Sequence, residues 1–351
     1  MDKNMTVSTY AFLGPEGTYS HQAALSFAAA GAAPAAAAAD ATAATQPAHD
    51  VPAAPAAPAA TQPAPDVPAP GASPADVELI ECASIAEIFD LVDRGRTNFG
   101  VVPIENALEG SVNETLDAFA FTSGAQIRAE IVVDIHHSLI AAPGVELADV
   151  RTIASHPQAI GQSRRWLQRH LPQAATLATT STAEAVRMAI TASLATSAQP
   201  GQLAPALPGP ADPAVAPSTT AAIGAPLAAE LFGGNVLAEQ IEDHFGNQTR
   251  FVLIGPDPLP TPSDTSGYKT SLALFMKEDR PGTLLMILEE FAYAGLNLSK
   301  IQSRPTKRAL GDYMFWIDID GHTDDIHVKT ALDCLRLKLR EVKTLGSYPA
   351  A

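Results

Sequence analysis

Residues 99–121 read FGVVPIENALEGSVNETLDAFAF, and the fold class turns on them. FGVVPIE reads as a buried strand and SVNETLDAFAF as a helix, joined by a short polar turn. A strand running directly into a helix is the building unit of sheets covered by helices. The strand delivers Glu105 and Asn106 at its end, and Gly110 and Ser111 stand at the helix start. Ligands of open α/β sheets gather at such an edge. The plainer reading is that Ser111 caps a helix and Glu105 is a solvated charge.

The same unit recurs outward in both directions. TYAFLG precedes GTYSHQAALSFAA, and VELIECA precedes SIAEIFDLVDRG, where Ser84 and Glu87 have capping-box spacing. IRAEIVVDIHHSLIAA supplies one or two strands, with His136 and His137 adjacent on a strand. RTIASHPQAIGQSRRWLQRHL gives strand, turn and helix. TTSTAEAVRMAITA is a helix capped by Ser181 or Thr182. AAIGAPLAAELFG gives strand then helix, and RFVLIG a last strand. The alternation predicts an α/β fold with a parallel or mixed sheet. Beyond PLPTPSDTSGYK the order changes to strand, helix, strand, strand, helix, strand. That is the ferredoxin-like βαββαβ unit. The expected boundaries are a first domain over residues 8–256, a linker over 257–268 and a second domain over 269–349.

Two stretches are foreign to a folded core. Residues 32–74 and 197–218 are dominated by Ala and Pro, with proline too frequent for helix and little bulky apolar surface. Both are expected to be disordered, polyproline-leaning insertions. The formal charge, 22 − 38 = −16, disfavours a nucleic-acid partner or a basic membrane-binding surface. An anionic substrate would need a local positive pocket. Cys82 and Cys334 lie far apart, which is no disulfide framework and fits a reducing cytoplasm. With no leader pattern and no long apolar run, a soluble cytoplasmic protein is expected. No metal or cofactor is expected: no Cys/His ligand set appears, and the GPEGTYS turn lacks the dinucleotide fingerprint.

Other polar clusters also fall at strand–helix turns. GPEGTYS (14–20) offers amides and Thr18, either as an anion site or as a tight turn. SHPQAIGQ (155–162) contributes His156. TTSTAEA (179–185) contributes Ser181 and Thr182, which on their own read as plain caps. HFGNQTRFVLIG (244–255) sets Thr249 and Arg250 before a buried run. An unpaired arginine there would be costly, so Arg250 is a candidate for a substrate carboxylate.

Taken together, GPEGTYSHQAA, VVPIENALEGSVNETLD, ASHPQAIGQ, TTSTAEA, GNQTRFVLIG and RPGTLLMILEEFAYAGLNLSKIQSRP resemble the prephenate dehydratase family. The resemblance covers nearly the whole chain outside the two Ala/Pro stretches. It implies a two-lobed catalytic domain like type II solute-binding proteins, with the site between lobes. It implies an ACT regulatory domain that binds phenylalanine, with tyrosine a further candidate, in a homodimer or homotetramer. Thr249 would be the key catalytic hydroxyl, with Arg250 beside it. Substrate contacts would come from Thr18, Glu105, Asn106, Gly110, Ser111, His156, Ser181, Thr182 and Phe251. The effector would meet Pro281 (as helix position N1), Gly282, Thr283, Leu284, Asn297, Leu298, Gln302 and Ser303. Ala107 stands where the family usually has serine, and Gln302 where it usually has glutamate. PGTLL replaces PGAL. Two other readings are an arogenate dehydratase and a non-catalytic amino-acid-responsive binding protein.

Overall fold

The computed structural model describes residues 7–30, 77–197, 219–256, 263–278, 280–309 and 311–351. The two Ala/Pro stretches lie outside the described residues, save for the backbone of Ser197. Lobe 1 carries β1 (Ser8–Leu13), α1 (Tyr19–Ala29), β2 (Val77–Cys82), α2 (Ile85–Asp93), β3 (Phe99–Asn106), β4 (Gly110–Ser111), α3 (Asn113–Asp117) and β5 (Gln126–Asp134). The chain then crosses to lobe 2. That lobe holds β6 (Ser138–Ala141), β7 (Thr152–Ser155), α4 (Pro157–Gln162), α5 (Arg164–His170), β8 (Ala175–Ala178), α6 (Thr182–Ser197), β9 (Thr220–Gly224), α7 (Pro226–Phe232) and β10 (Asn235–Ala238). It returns as β11 (Gln248–Gly255), which inserts antiparallel between β3 and β5.

The lobe 1 sheet runs β2-β1-β3-β11-β5 and the lobe 2 sheet β10-β6-β9-β7-β8. Each is mixed, as the strand–helix alternation predicts. Helices cover lobe 2 on both faces, with α4 and α5 on one and α6 and α7 on the other. In lobe 1, α1 packs on one face through Ala23, Ala24 and Phe27, and α2 packs on the other through Ile88, Phe89 and Val92. Ser84 caps α2 by accepting from the Glu87 amide at 3.2 Å; the return arm from Glu87 reaches the Ala83 amide instead of Ser84's own. SVNETLDAFAF forms α3 and then a wider π turn over Ala118–Thr122, closed by Ser123 N–H donating to the Ala118 carbonyl.

The C-terminal domain comprises β12 (Tyr268–Phe275), α8 (Thr283–Tyr293), β13 (Leu298–Pro305), β14 (Tyr313–Asp320), α9 (Ile326–Lys338) and β15 (Glu341–Pro349). Its antiparallel order, β13-β14-β12-β15, is that of the ferredoxin-like unit. One sheet face packs under α8 and α9 through Leu272, Ile317, Ile287 and Leu332. The other face joins the core of lobe 1: Phe275, Trp316, Leu345 and Tyr348 share one cluster with Ile127, Val252 and Phe119. At this seam Gly346 (φ 146°) lies so close to the Ile127 backbone that a Cβ would collide with it.

A buried ion cluster crosses the same seam. The Arg250 guanidinium donates to Glu130 Oε2 at 2.5 Å, Asp318 Oδ2 at 2.9 Å and Tyr348 Oη at 2.8 Å. Lys269 Nζ meets the other Glu130 oxygen at 2.6 Å. Ser271 and the Trp316 indole both donate to Asp318 Oδ1, at 2.7 and 2.8 Å. Burial alone would disfavour charge on Arg250, but Tyr348, Asp318 and Glu130 outweigh it and hold the cation firmly protonated. Burial raises the Tyr348 pKa, and Asp318 adds to it, so the group stays a phenol.

Two stability outcomes follow from the seam. Arg250→Met leaves Glu130 and Asp318 buried without their main partner, and urea denaturation should register a loss of about 3–5 kcal/mol. Gly346→Ala combines a forbidden backbone angle with a backbone clash and should cost about 2 kcal/mol or more in the same assay.

Candidate active site between the lobes

The strand that begins at Gln248 takes the polar residues into its own pleat. Successive side chains of a strand point to opposite faces. Thr249 pairs across the sheet with Asn106, and Arg250 with Glu105. The first pair faces the cleft between the lobes; the second faces the C-terminal domain. A register shift in the β3–β11 ladder follows immediately, between Arg250 and Phe251, a local irregularity of the kind found beside active sites.

Asn106 organises the cleft edge. Its Oδ1 accepts from the Leu108 and Glu109 amides at 3.0 and 2.9 Å. Its Nδ2 donates to Thr249 Oγ1 at 2.9 Å and to Asn247 Oδ1 at 2.8 Å. A hydroxyl that accepts from an amide keeps its own proton for another acceptor. The 8 % exposed Thr249 is therefore set as a donor toward the cleft.

The cleft encloses about 320 Å³ and takes its walls from both lobes. Helices α1 and α6 both present their N-termini to it, through Thr18, Ser20, Ser181 and Thr182. Thr18 Oγ1 caps α1 by accepting from His21 N at 3.3 Å, and Ser181 Oγ caps α6 by accepting from Glu184 N at 3.0 Å. His156 caps the short α4, its Nδ1 accepting from Gln158 N at 3.3 Å. His21 Nδ1 accepts from Gly17 N at 3.1 Å and so fixes the GPEG turn. Burial lowers the pKa of His21, against weaker pulls from Glu16 and Glu81, consistent with that acceptor role. The lobes approach closely at Gly17, where a Cβ would stand 3.1 Å from Ala228 Cβ.

Among the described lining residues there is no lysine, arginine, aspartate or glutamate. What positive character the described lining residues offer comes from helix N-termini, amides and hydroxyls, without a formal cation. Among the described residues no group of three or more His, Cys, Asp or Glu could hold a metal ion.

The structure brings Thr18, Asn106, His156, Ser181, Thr182 and Thr249 to one cleft. It directs others elsewhere. Arg250, expected to hold a substrate carboxylate, is committed to Glu130 and Asp318 on the opposite sheet face. Glu105 and Ser111 turn the same way: Lys300 Nζ sits 2.8 Å from Glu105 Oε2 and 2.9 Å from Ser111 Oγ. Ser111 lies in β4 and does not cap α3, and Gly110 (φ 82°) is exposed in the hairpin between β3 and β4. Phe251, expected in the ring pocket, is 2 % exposed and packs in the core with Tyr10, Phe12 and Phe27.

Sequence reasoning missed the crossing between the lobes. His136 and His137 do not lie on a strand; they link β5 to β6. Glu242, on the returning segment, accepts from the His137 amide at 2.9 Å and contacts His136 Nδ1 at 2.8 Å. His137 Nε2 lies 2.8 Å from Gln162 Oε1. Burial lowers the His137 pKa, with Gln162 and Glu242 opposing it. His137 Nδ1 and Gln162 Nε2 are buried without a partner, in residues that line the cleft. The adjacent histidines were a visible signal; their partner 25 residues onward was not.

The effector candidates divide. Gly282 (φ 88°) is the N-cap of α8, so Pro281 precedes the cap instead of occupying N1. Thr283 opens the helix, its hydroxyl donating to the Arg280 carbonyl at 2.9 Å, and Leu284 is exposed. Asn297 donates to Asp320 at 2.8 Å, just before Leu298 begins β13. Gln302 pairs with Trp316, which packs against lobe 1, whereas the neighbouring Ser303 pairs with Phe315, which packs toward the helices.

Comparison with known proteins agrees with this architecture. The family model described as prephenate dehydratase matches residues 69–259, and the ACT domain model matches 270–333. A prephenate dehydratase of Mycobacterium marinum is 36% identical over 97% of this chain and 88% of its own length. The crystal structure of a prephenate dehydratase from Arthrobacter aurescens in complex with L-Phe is 35% identical, with a TM-score of 0.70, over 98% of this chain and 90% of that one. A quorum-quenching acylase reaches the same TM-score of 0.70 at 24% identity, over 98% of each chain, which speaks to fold alone. On these matches over nearly its whole length, the chain belongs to the prephenate dehydratase family and carries a C-terminal ACT domain.

Proposed function

We propose that the chain converts prephenate to phenylpyruvate in the cleft between the lobes, as a hydro-lyase of phenylalanine biosynthesis. The observation that carries this reading is the Thr249 hydroxyl, held by the Asn106 amide at 2.9 Å with its own proton free for the cleft. In the reaction the bond to the ring carboxylate breaks and CO2 leaves. Its electron pair enters the ring as the carbon–oxygen bond to the ring hydroxyl breaks. The departing hydroxide must gain a proton to leave as water. Thr249 donates to that oxygen, and a positioned donor of this kind contributes about 10²–10⁴ in rate.

The dianionic substrate is held by neutral donors. The N-termini of α1 and α6 and the Gln162 amide suit its carboxylates. The described lining residues include no lysine or arginine to act as a strong counter-ion for the departing carboxylate, which favours its loss. Nor do the described lining residues include a carboxylate to pair with an ammonium. That favours prephenate over arogenate, which carries an amine in place of the keto group.

The regulatory part of the reading assigns residues 8–256 to catalysis, 257–268 to a linker and 269–349 to effector binding. The glycine turn at Gly282 and the start of β13 form the effector's contacts, and phenylalanine is the effector, with tyrosine as a competitor to compare. A homodimer or homotetramer is supported by the exposed Leu285, Tyr293 and Leu337 on the helical side of this domain. No helix among the described residues is long and apolar enough to cross a membrane. A cytoplasmic setting fits the two free cysteines, with burial pushing the Cys82 thiol up to about 11, Glu87 and Glu81 adding to it.

Phenylpyruvate release tests the catalytic part. Thr249→Val should lower kcat by about 10² or more with little change in KM, while Thr249→Ser keeps most turnover. Near-normal turnover in Thr249→Val would remove the hydroxyl from the mechanism. Titrating phenylalanine into the same assay should suppress turnover; an unchanged rate, with no change in oligomer size, would remove the effector site.

A further inference from the structure

The ammonium of Lys300 belongs to the ACT domain, yet it ends in lobe 1. The side chain is only 8 % exposed and meets Glu105 Oε2 at 2.8 Å and Ser111 Oγ at 2.9 Å. Glu105 and Ser111 are directly opposite each other in the β3–β4 hairpin. One cation thus clips both strands of that hairpin. The next cross-strand pair is Asn106 with Gly110. Asn106 is the residue whose amide holds Thr249, so a single peptide separates the clipped carboxylate from the hydroxyl's anchor.

The hairpin depends on such a clip. The β3–β11 ladder loses its register between Arg250 and Phe251, beside the Arg250–Glu105 pair. β4 spans only two residues, and Leu108 and Glu109 at the hairpin tip are exposed. Glu105 is itself 39 % exposed, and Arg250 Nη1 stands 3.8 Å away, spent mainly on Glu130 and Asp318. Lys300 is therefore its close ionic partner among the described residues. The ammonium lies within hydrogen-bond distance of both the carboxylate and the hydroxyl, so one side chain fixes both strands of the hairpin.

We propose that Lys300 is a positioning residue for the cleft: by holding Glu105 and Ser111 it sets the Asn106 amide that aims the Thr249 hydroxyl. The proposal rests on the reading of Thr249 as the donor to the leaving hydroxide. It makes the ACT domain part of the catalytic geometry even with no effector bound. The competing explanation is that Lys300 only helps to dock the domain.

The test compares full-length wild type, Lys300→Met, Lys300→Arg, Glu105→Gln and the Lys300→Met/Glu105→Gln double variant in prephenate turnover and thermal unfolding. Misaimed groups beside a reacting centre cost roughly tenfold to hundredfold. Lys300→Met should lose kcat in that range with KM within about twofold, as expected for an interaction made only in the transition state. Lys300→Arg should recover at least about half of the lost rate, since a cation again reaches the carboxylate. The double variant should be no slower than Glu105→Gln alone, because both changes break one contact. A Lys300→Met enzyme with wild-type kcat and a lowered melting temperature would overturn the proposal in favour of docking. Fully additive losses would overturn it too. A wild type inert toward prephenate would instead sink the functional reading on which it rests.

Discussion

The centre of the joint between the two domains is built around one requirement: the charge on Arg250 must be matched inside the protein. Two cations, Arg250 and Lys269, face two anions, Glu130 and Asp318, contributed by β11, β12, β5 and β14. Ser271, Trp316 and Tyr348 take up remaining lone pairs and protons. Such a cluster adds little net stability, since desolvation offsets the attraction. Its value lies in geometry. Any other placement of the ACT sheet on lobe 1 would strand at least one buried charge, whereas the apolar contacts around Trp316 and Phe119 would tolerate sliding.

That constraint divides the labour of one strand pair. At the cleft end of β3 and β11, alternate side chains serve two unlike surroundings: Glu105 and Arg250 the ionic seam, Asn106 and Thr249 the neutral polar cleft. The separation suits the chemistry assigned to the cleft. A guanidinium beside the departing carboxylate would stabilise the ground state that must be lost. The same guanidinium in the seam fixes the strand that carries the hydroxyl. Helix ends, with no side-chain cation among the described lining residues, bring the cleft its positive character on a protein whose overall charge is −16.

Much of this was legible in the chain. The strand–helix alternation and the βαββαβ order follow from local patterns of apolarity, glycine and capping residues, whereas it is the family resemblance that gathers Thr18, Asn106, Ser181 and Thr249 into one cleft. What escaped was non-local or depended on a boundary. Placing the start of the last strand at Arg250 instead of Gln248 hides the alternation that sends Thr249 and Arg250 opposite ways. The edge strands Ala175–Ala178 and Asn235–Ala238 are four residues each, too short to show a period. Contacts such as Lys300 with Glu105 and His137 with Gln162 join residues whose proximity no local pattern records.

The path of the chain also dictates an order of assembly during synthesis. Lobe 2 lies between β5 and β11 in sequence, so all of its strands emerge before the strand that completes lobe 1. Until residue 255 leaves the ribosome, the first sheet exists as two fragments, β2-β1-β3 and β5, with the facing edges of β3 and β5 unpaired. Even then Arg250 waits for Asp318 and Tyr348, which arrive about 70 and 100 residues later. The nascent chain therefore keeps the β3 and β5 edges open until β11 is made, and Arg250 keeps only its lobe 1 partners, Glu130 and Glu105, until β14 and β15 follow. A truncation within the ACT domain that removes β14 and β15 would leave lobe 1 closed but Arg250 permanently without Asp318 and Tyr348.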